Sequence, residues 1–421
     1  MGTTRTFEDM LNEYVTNSLL REELIKRDYI LKNVKKDNKW KGGKIPVPFK
    51  ASGASSIRLG GLTSGTDIAE SKFVRGYIDG YKEVWGSMIF HHRDILDHSG
   101  RVNEDSFIRT LPDTIEDFSE YMKMVISVQL GTGPNFDVAT ADGTATGIVK
   151  VNKVDRFMLD QKVQIHSDTQ AFLALYVIGI NVNTNEVQFS ATRGGAAADL
   201  SAYKASENTK FYHDGGEDSA NYFNSLKSAL LPASAGGSAT LHGKNKLLYP
   251  YLQAVAIDGS AITASNLLQK IFEAYVVVRQ KARGNATTVL MSFKHMGSVM
   301  QLLEYGPTGS NGKSPFKVTE GSTSATAYGW DEVEIAQLGT NKRLKFVGIQ
   351  EWDDDTIVFL DWAALTFRTN GFIRKRVSPD GKQYFETRTT AGFSYILDTF
   401  LFGELEVKAP GRCGIIYGIS Y

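Results

Sequence analysis

The chain has a single cysteine, Cys413, among its 421 residues, so no disulfide can form within it. Its stability therefore cannot depend on an oxidising compartment. An excess of charge is also missing, because 47 Lys and Arg residues balance 47 Asp and Glu residues. The global charge thus does not mark the protein as a binder of nucleic acid or of a membrane surface.

Long apolar runs are missing as well. The longest run lies near residues 172–182, and a bilayer-spanning helix needs roughly 20 residues. The first residues lack the basic-then-apolar pattern of a secretory signal. We therefore expect a soluble intracellular product, or one that leaves a cell by lysis. Hydrophobic residues still make up 42% of the chain, and the length favours about three domains.

Residues 1–44 form a basic stretch with few apolar residues. Between residues 26 and 44, eight basic residues face two acidic ones, which gives a local net charge of +6. The basic residues are Lys26, Arg27, Lys32, Lys35, Lys36, Lys39, Lys41 and Lys44. One interpretation is a solvated linker, and the other is an arm lying on an acidic neighbour or a polyanion. We expect the whole stretch to lie across neighbouring subunits, because it lacks the apolar residues for its own core.

Residues 45–100 have the pattern of an extended excursion. Pro46 and Pro48 alternate with apolar residues, and proline cannot donate to a β ladder, so an edge segment is indicated. The returning segment repeats large apolar residues at four-residue steps, but its glycines disfavour a helix. We predict a long two-stranded excursion whose aromatic stripe packs on a neighbouring subunit. The stripe consists of Phe73, Tyr77, Tyr81 and Trp85.

The remainder has a mixed helical and strand pattern. Apolar residues at helical spacing predict one long helix at about 104–130 and a second at about 265–283. Between them, residues 137–200 are strand-rich and bounded by glycine-containing segments, which predicts a self-contained β unit. A short helix is expected at 295–305, and strands at 287–293, 332–338, 345–349, 356–361, 382–388 and 392–402. The pattern predicts an α+β protein.

The group of side chains best suited to metal binding or catalysis lies in the sequence HHRDILDH, with His91, His92, Asp94, Asp97 and His98. On a helix, His91, Asp94 and His98 would share a face, and imidazole with carboxylate suits Zn, Fe or Mn. A metal-dependent hydrolase centred on His91 and His92 is therefore one alternative. Against it, neighbouring glycines indicate a strand-to-loop passage, and no second ligand cluster accompanies the histidines.

Other catalytic patterns are weaker. The segment GSNGKS at 309–314 imitates the end of a phosphate-binding loop, but Pro307 occupies the position of the first required glycine. No Gly-x-Ser-x-Gly elbow is present. We interpret Cys413 as a packed small residue. The sequence therefore predicts no enzyme, no catalytic residues, no metal and no cofactor.

The order of these pieces resembles the major capsid proteins of tailed bacteriophages, which have the Hong Kong 97-type fold. The resemblance covers most of the chain. The segments in which the resemblance is found are TTVLMSFKHMGSVMQLLEY, RLKFVGIQEWDDDTIVFLDWAALTF and GELEVKAPGRCGII. It implies an N-terminal arm at 1–44, an extended E-loop at 45–100, a spine helix of the P-domain at 101–136, a β-barrel-like insertion at 137–200, and the remaining P-domain and A-domain at 201–421.

The resemblance also implies function and partners. The chain would self-assemble into hexamers and pentamers of an icosahedral capsid that encloses double-stranded DNA through non-specific contacts. A portal, a separate scaffolding protein and a decoration protein would be its partners, with no membrane. It would reside in the virion capsid, and in the host cytoplasm before assembly. An encapsulin-like shell around a cargo enzyme, which shares the fold, is the second alternative.

Overall fold

The structure is a computed structural model. It describes residues 28–40, 43–50, 73–78, 80, 82–91, 104–216, 218, 221–282, 284–305, 318–320, 332–336, 343–377, 381, 385–389 and 392–421.

The described residues form an α+β protein. The α-helices are α1 (Tyr29–Asn33), α2 (Glu104–Gly131), α3 (Leu226–Leu230), α4 (Leu267–Lys281) and α5 (Phe293–Tyr305). The strands are β1 (Lys35–Asp37), β2 (Ile45–Lys50), β3 (Phe73–Ile78), β4 (Lys82–His91), β5 (Asn135–Val138), β6 (Ile148–Lys150), β7 (Lys162–His166), β8 (Leu173–Asn181), β9 (Glu186–Ser190), β10 (Lys210–His213), β11 (Thr240–Leu241), β12 (Lys244–Asn245), β13 (Val255–Asp258), β14 (Thr288–Ser292), β15 (Val318–Glu320), β16 (Glu332–Ala336), β17 (Arg343–Ile349), β18 (Thr356–Leu360), β19 (Leu365–Lys375), β20 (Phe385–Thr389), β21 (Gly392–Val407) and β22 (Gly414–Tyr417).

A seven-stranded mixed sheet forms the first core. Its strand order is β13-β22-β18-β14-β17-β16-β15. Residues of β14 alternate between two apolar clusters, because Val289 and Met291 face helix α4 while Leu290 faces the cluster that contains α2. Both faces of this strand are therefore covered, and all five of its residues are buried. This explains why its sequence is continuously apolar apart from its two ends.

The β-rich unit is a closed six-stranded barrel. Its strand order is β5-β10-β7-β8-β9-β6. The two outer strands meet as well, because the amide of Thr140 donates to the carbonyl of Lys150 (2.8 Å) and that of Asn152 donates to the carbonyl of Val138 (3.1 Å). The interior is dry and aromatic, and it includes Phe136, Phe157, Phe189 and Phe211. The unit runs from residue 135 to residue 213, so it extends beyond the predicted 137–200 at both ends.

A second sheet lies along helix α2. Its path is β1-β19-β21-β20, and β4 pairs with the long strand β21 over ten residues, from Lys82↔Gly403 to His91↔Ser394. Helix α2 covers one face, since a Cβ at Gly86 would lie 2.6 Å from the Phe118 ring and 3.0 Å from the sulfur of Met122. Glycine at this position lets the helix approach the strand closely.

The predicted excursion at 45–100 is divided in the structure. Strands β2 and β3 do pair, in the register Ile45↔Ile78 to Lys50↔Phe73. Strand β4 instead belongs to the sheet of β21. The prediction of one two-stranded excursion was therefore wrong for residues 82–91. The large apolar residues of the returning segment are four positions apart, so they lie on the same side of any strand that contains them. This spacing does not indicate which strand is the pairing partner.

The expectation that the whole of residues 1–44 lies across neighbouring subunits was wrong for residues 28–40. Helix α1 and the residues after it are packed inside the subunit, with Ile30, Leu31, Val34 and Trp40 at most 4% exposed. Strand β1 pairs in parallel with β19. Four large apolar side chains are enough to anchor this short segment, because it lies in a groove formed by other elements of the subunit. Residues 1–27 and 41–42 lie outside the described residues.

An acidic turn between β17 and β18 joins these parts. Four basic residues from different elements pair with it: Lys123 of α2 with Glu351 (3.0 Å), Lys153 with Asp354 (3.1 Å), Arg156 with Asp353 (2.9 Å), and Lys227 of α3 with Asp353 (2.9 Å) and Asp355 (2.8 Å). Burial alone raises the pKa of Asp353, but the charges of Lys227 and Arg156 outweigh it and hold that pKa below its usual value. Through these ion pairs, the turn connects the barrel and helix α2 to the seven-stranded sheet.

Trp352 fills the centre of the same turn. It is 1% exposed, and its indole N–H donates to the carbonyl of Thr356 (3.1 Å). A Cβ at Gly131 would lie 2.9 Å from its ring and 3.7 Å from Ile30, so the ring, the end of α2 and the arm helix meet at one point. Among the described residues, no helix is long and apolar enough to cross a membrane.

We predict that residues 135–213 fold as an isolated fragment, with a β-type circular dichroism spectrum and a cooperative melt, because the barrel closes within these bounds. The shorter fragment 137–200 is the matched control. It lacks β10 and the buried rings of Phe136 and Phe211, so it should stay unfolded. Equal folding of the two fragments would contradict the observed closure.

We predict that Arg156→Met destabilises the unassembled subunit by about 2–4 kcal/mol, measured by urea unfolding. Arg156 is 2% exposed, and its loss removes donors to Asp353 and to the carbonyls of Phe136 and Glu351. Arg193→Met is the control, since the Arg193–Asp160 pair on the barrel is exposed and should contribute less than about 0.5 kcal/mol. Similar losses for both variants would show that the buried pair has no special role.

Candidate subunit-contact surface

The sheet of β4 and β21 has a second apolar face. The face toward helix α2 holds Met88, Leu397 and Leu401, all buried. The opposite face presents Trp85 and Ile89 from β4 beside Phe400 and Phe402 from β21. We call these four residues the aromatic face. Trp85 is 49% exposed and Ile89 46%, although both are flanked by apolar neighbours.

Cross-strand pairing aligns the aromatic face. Trp85 lies opposite Phe400 in the register, with ring centroids 5.0 Å apart, and Phe402 packs edge-on at 6.3 Å. Ile89 is paired with Ile396. Aromatic pairs of this kind stabilise a sheet but leave the outer surfaces of the rings in water. The result is a rigid apolar surface on a regular strand pair.

Charged groups frame this surface. The Arg376 guanidinium lies 5.8 Å from the centre of the Trp85 ring and 4.9 Å from that of Phe385, and it pairs with Asp398 at 3.5 Å. Ser87 donates to the same carboxylate at 2.6 Å. The Trp85 indole N–H donates to Glu83 at 2.8 Å. These contacts hold the Trp85 ring in one orientation, which is the arrangement of a contact residue with little entropy to lose.

The β2–β3 hairpin presents a second aromatic stripe. Phe73 is 65% exposed and Tyr77 46%, with the exposed Arg75 between them. The opposite side of the hairpin is anchored, because Phe49 stacks on His242 at 5.9 Å and the amide of Tyr77 donates to the His242 carbonyl at 3.0 Å. A Cβ at Gly76 would lie 2.7 Å from that carbonyl, so only glycine allows this approach. The exposed side is therefore held outward by a fixed base.

The predicted stripe residues are thus exposed where the structure describes them, but on two sheets. Phe73 and Tyr77 lie on the hairpin, Trp85 lies on the aromatic face, and Tyr81 lies outside the described residues. Phe400, Phe402 and Arg376 were missed. The alternation in TFLFGEL at 399–405 is apolar on both sides of the strand, and that signal could have indicated a sheet with two apolar faces.

The predicted basic arm has several different environments. Lys32, Lys35, Lys39 and Lys44 are exposed, whereas Lys26, Arg27 and Lys41 lie outside the described residues. The ammonium group of Lys36 turns inward and donates to the carbonyls of Leu31 and Val34 at the end of α1. Burial lowers the pKa of Lys36, and the charge of Asp28 opposes this effect. Lys36 therefore caps the arm helix, which is an internal contact.

The sites considered for catalysis give no assembled centre in the described part of the chain. His91 ends β4, while His92, Asp94, Asp97 and His98 lie outside the described residues, as does the segment 309–314. Where the structure is described, no three His, Cys, Asp or Glu side chains are grouped to hold a metal. Cys413 is fully buried, and burial raises the pKa of its thiol to about 12, so it is an apolar packing residue.

No protein-family model and no curated protein sequence matches the chain. Solved structures with some similarity to the chain were found. The capsid of a native GTA particle matches with a TM-score of 0.46 and 10% identity, covering 93% of this chain and 90% of that one. The capsid asymmetric unit of cyanophage A-1(L) gives 0.45 and 12%, covering 100% and 98%.

Shells of another kind match as well. The SrpI encapsulin complex of Synechococcus elongatus PCC 7942 gives a TM-score of 0.38 and 8% identity, covering 100% of this chain and 92% of that one. All three of these structures have sequence identities of 12% or less with this chain.

Proposed function

We propose that this chain is the major structural subunit of a tailed-phage capsid, assembling into hexamers and pentamers of an icosahedral shell around double-stranded DNA. The observation that supports this most is the aromatic face. A sheet already covered by α2 on one side carries the exposed Trp85 and Ile89 on the other, beside the partly buried Phe400 and Phe402. An uncovered apolar surface of this kind marks a site of protein association.

The occupant that we propose is a second copy of the chain. Rings and shells need two different surfaces on each subunit, so that one copy can contact the next. The aromatic face is bordered by the acidic Glu83 and by the Arg376–Asp398 pair, while the hairpin presents Phe73 and Tyr77 around the basic Arg75. These two surfaces complement each other in apolarity and in charge, so the contact can be formed head to tail.

The role is structural and non-enzymatic. In the proposed particle, the barrel at 135–213 lies on the outer surface, and residues 1–27 extend from the anchored helix α1 across neighbouring subunits. A portal, a separate scaffolding protein and a decoration protein are the further partners, and contacts with DNA are non-specific. The protein would be located in the virion capsid, and in the host cytoplasm before assembly.

The proposal predicts that Trp85→Ala abolishes particles or makes them heat-labile while the free subunit stays folded. Loss of a buried contact residue costs roughly 2–4 kcal/mol at each interface, and the cost is repeated over every copy. Particle yield by electron microscopy and circular dichroism of the subunit are the two measurements. Val182→Ala, at a 71% exposed position on the barrel, is the control and should assemble normally.

If Trp85→Ala loses its secondary structure together with its particles, the ring belongs to the core of the subunit and the proposed contact is wrong. Micrographs of the wild-type protein also separate the two shell functions. Particles from infected cells that contain DNA support a phage capsid, whereas particles filled with a co-purifying enzyme would support the encapsulin-like alternative.

We also predict that deletion of residues 1–27 leaves a folded subunit that does not close into shells. The deletion stops before Asp28, so helix α1 keeps its cap and its packing. Deletion of residues 1–40 is the contrasting variant. It removes Ile30, Leu31, Val34 and Trp40 from the core and should give an insoluble or unfolded chain. Normal particles from the shorter deletion would exclude a role for the arm in closure.

A further inference from the structure

The arm is fixed to the subunit by one fully buried carboxyl group. Asp28 is 0% exposed and caps helix α1, with its Oδ1 accepting from the amide of Leu31 at 2.5 Å. The other oxygen, Oδ2, is buried without a hydrogen-bond partner among the described residues. A capping carboxyl group needs one acceptor oxygen, so the cap does not require the second oxygen to be charged.

The surroundings of Asp28 are assembled from three other elements. Helix α2 contributes the Ser127 hydroxyl and the ammonium of Lys123, β1 contributes Lys36, and the acidic turn contributes Glu351. Glu351 is 8% exposed and pairs with Lys123 at 3.0 Å, so that ammonium is shared between two carboxyl groups. Lys36 is likewise engaged with the carbonyls of Leu31 and Val34. Among the described residues, no cation is therefore dedicated to Asp28.

We propose that docking of the arm segment at residues 28–37 is linked to the binding of one proton by Asp28. A protonated carboxyl keeps the acceptor for the Leu31 amide and avoids the cost of burying a charge in this site. It also removes the repulsion from Glu351. The docked arm is therefore firmest when Asp28 is neutral and loosens when Asp28 ionises. This inference concerns the free subunit and holds whether or not the proposed shell forms.

The titration supports the direction of this effect. Burial raises the pKa of Asp28 to about 6; the Leu31 amide opposes it, Glu351 adds to it, and Ser127 and Lys123 oppose it. The usual aspartate pKa of about 3.9 applies once the arm is released. Between these two values the docked state holds a proton that the released state has lost. Docking therefore weakens as the pH rises from about 4 to about 6 and then stays constant.

Amide hydrogen exchange of the free subunit tests this proposal. Exchange is followed by mass spectrometry from pH 4 to 8 and corrected for the intrinsic rate at each pH. Protection of residues 29–37 should fall by about ten- to a hundredfold between pH 4 and 7, the range that a pKa raised by up to two units allows. Strand β18 is the internal reference, because Thr356–Leu360 contains no ionisable side chain.

Two variants distinguish the proposed proton linkage from a weakening of arm docking that does not depend on pH. Asp28→Asn keeps the cap and imitates the neutral acid, so protection should stay at the low-pH level throughout. Asp37→Asn removes the ion pair of β1 with Arg368, so protection should drop equally at every pH and keep the wild-type slope. A flat wild-type profile, or the same slope in Asp28→Asn, would overturn the proposal.

Discussion

The pairing of basic side chains with the acidic turn at 351–355 is the interaction on which the architecture depends. The turn connects β17 to β18, which lie on either side of β14 in the seven-stranded sheet, so the sheet positions its carboxylates. Arg156 brings the barrel to it, Lys123 the spine helix and Lys227 the segment that contains α3. Buried ion pairs add little net stability but require a specific geometry. They therefore fix how separate apolar cores are oriented.

The apolar clusters themselves do not determine that orientation. The barrel interior is closed around its own rings, and among the described residues its apolar cluster includes only Val128 from helix α2. Burial of Trp352 between the end of α2 and Ile30 adds an apolar contact at the same joint. In the proposed shell a rigid joint would matter, since an error of a few degrees within one copy would be repeated around a ring. The arm helix shares this joint through Asp28 and Glu351.

Much of the fold could be predicted from the sequence, because local periodicity reports which side of an element is covered. The long helix, predicted at 104–130, is observed at Glu104–Gly131, and the second, predicted at 265–283, at Leu267–Lys281. Strand partners could not be predicted, since pairing joins distant segments. Residues 82–91 pair with 394–403, and β10 closes a barrel whose other strands begin 75 residues earlier, at residue 135. Arm residues 28–40 were misjudged because composition counts apolar residues and not the groove that receives them.

For the candidate surface, too, the sequence did not reveal which strands are neighbours. Exposure of Phe73, Tyr77 and Trp85 was correctly expected from their shared side, but the companions Phe400 and Phe402 come from a strand more than 300 residues away. The contrast between the two faces of β4 and β21 gives the physical meaning of the site. On one side, Gly86 lets the spine helix pack closely and exclude water. On the other side, no helix among the described residues covers the rings of Trp85, Phe400 and Phe402. A sheet with two apolar faces is complete only as the middle layer of three, and the third layer has to come from beyond these elements. Under the proposed function, a second copy of the chain would supply this third layer without any new fold.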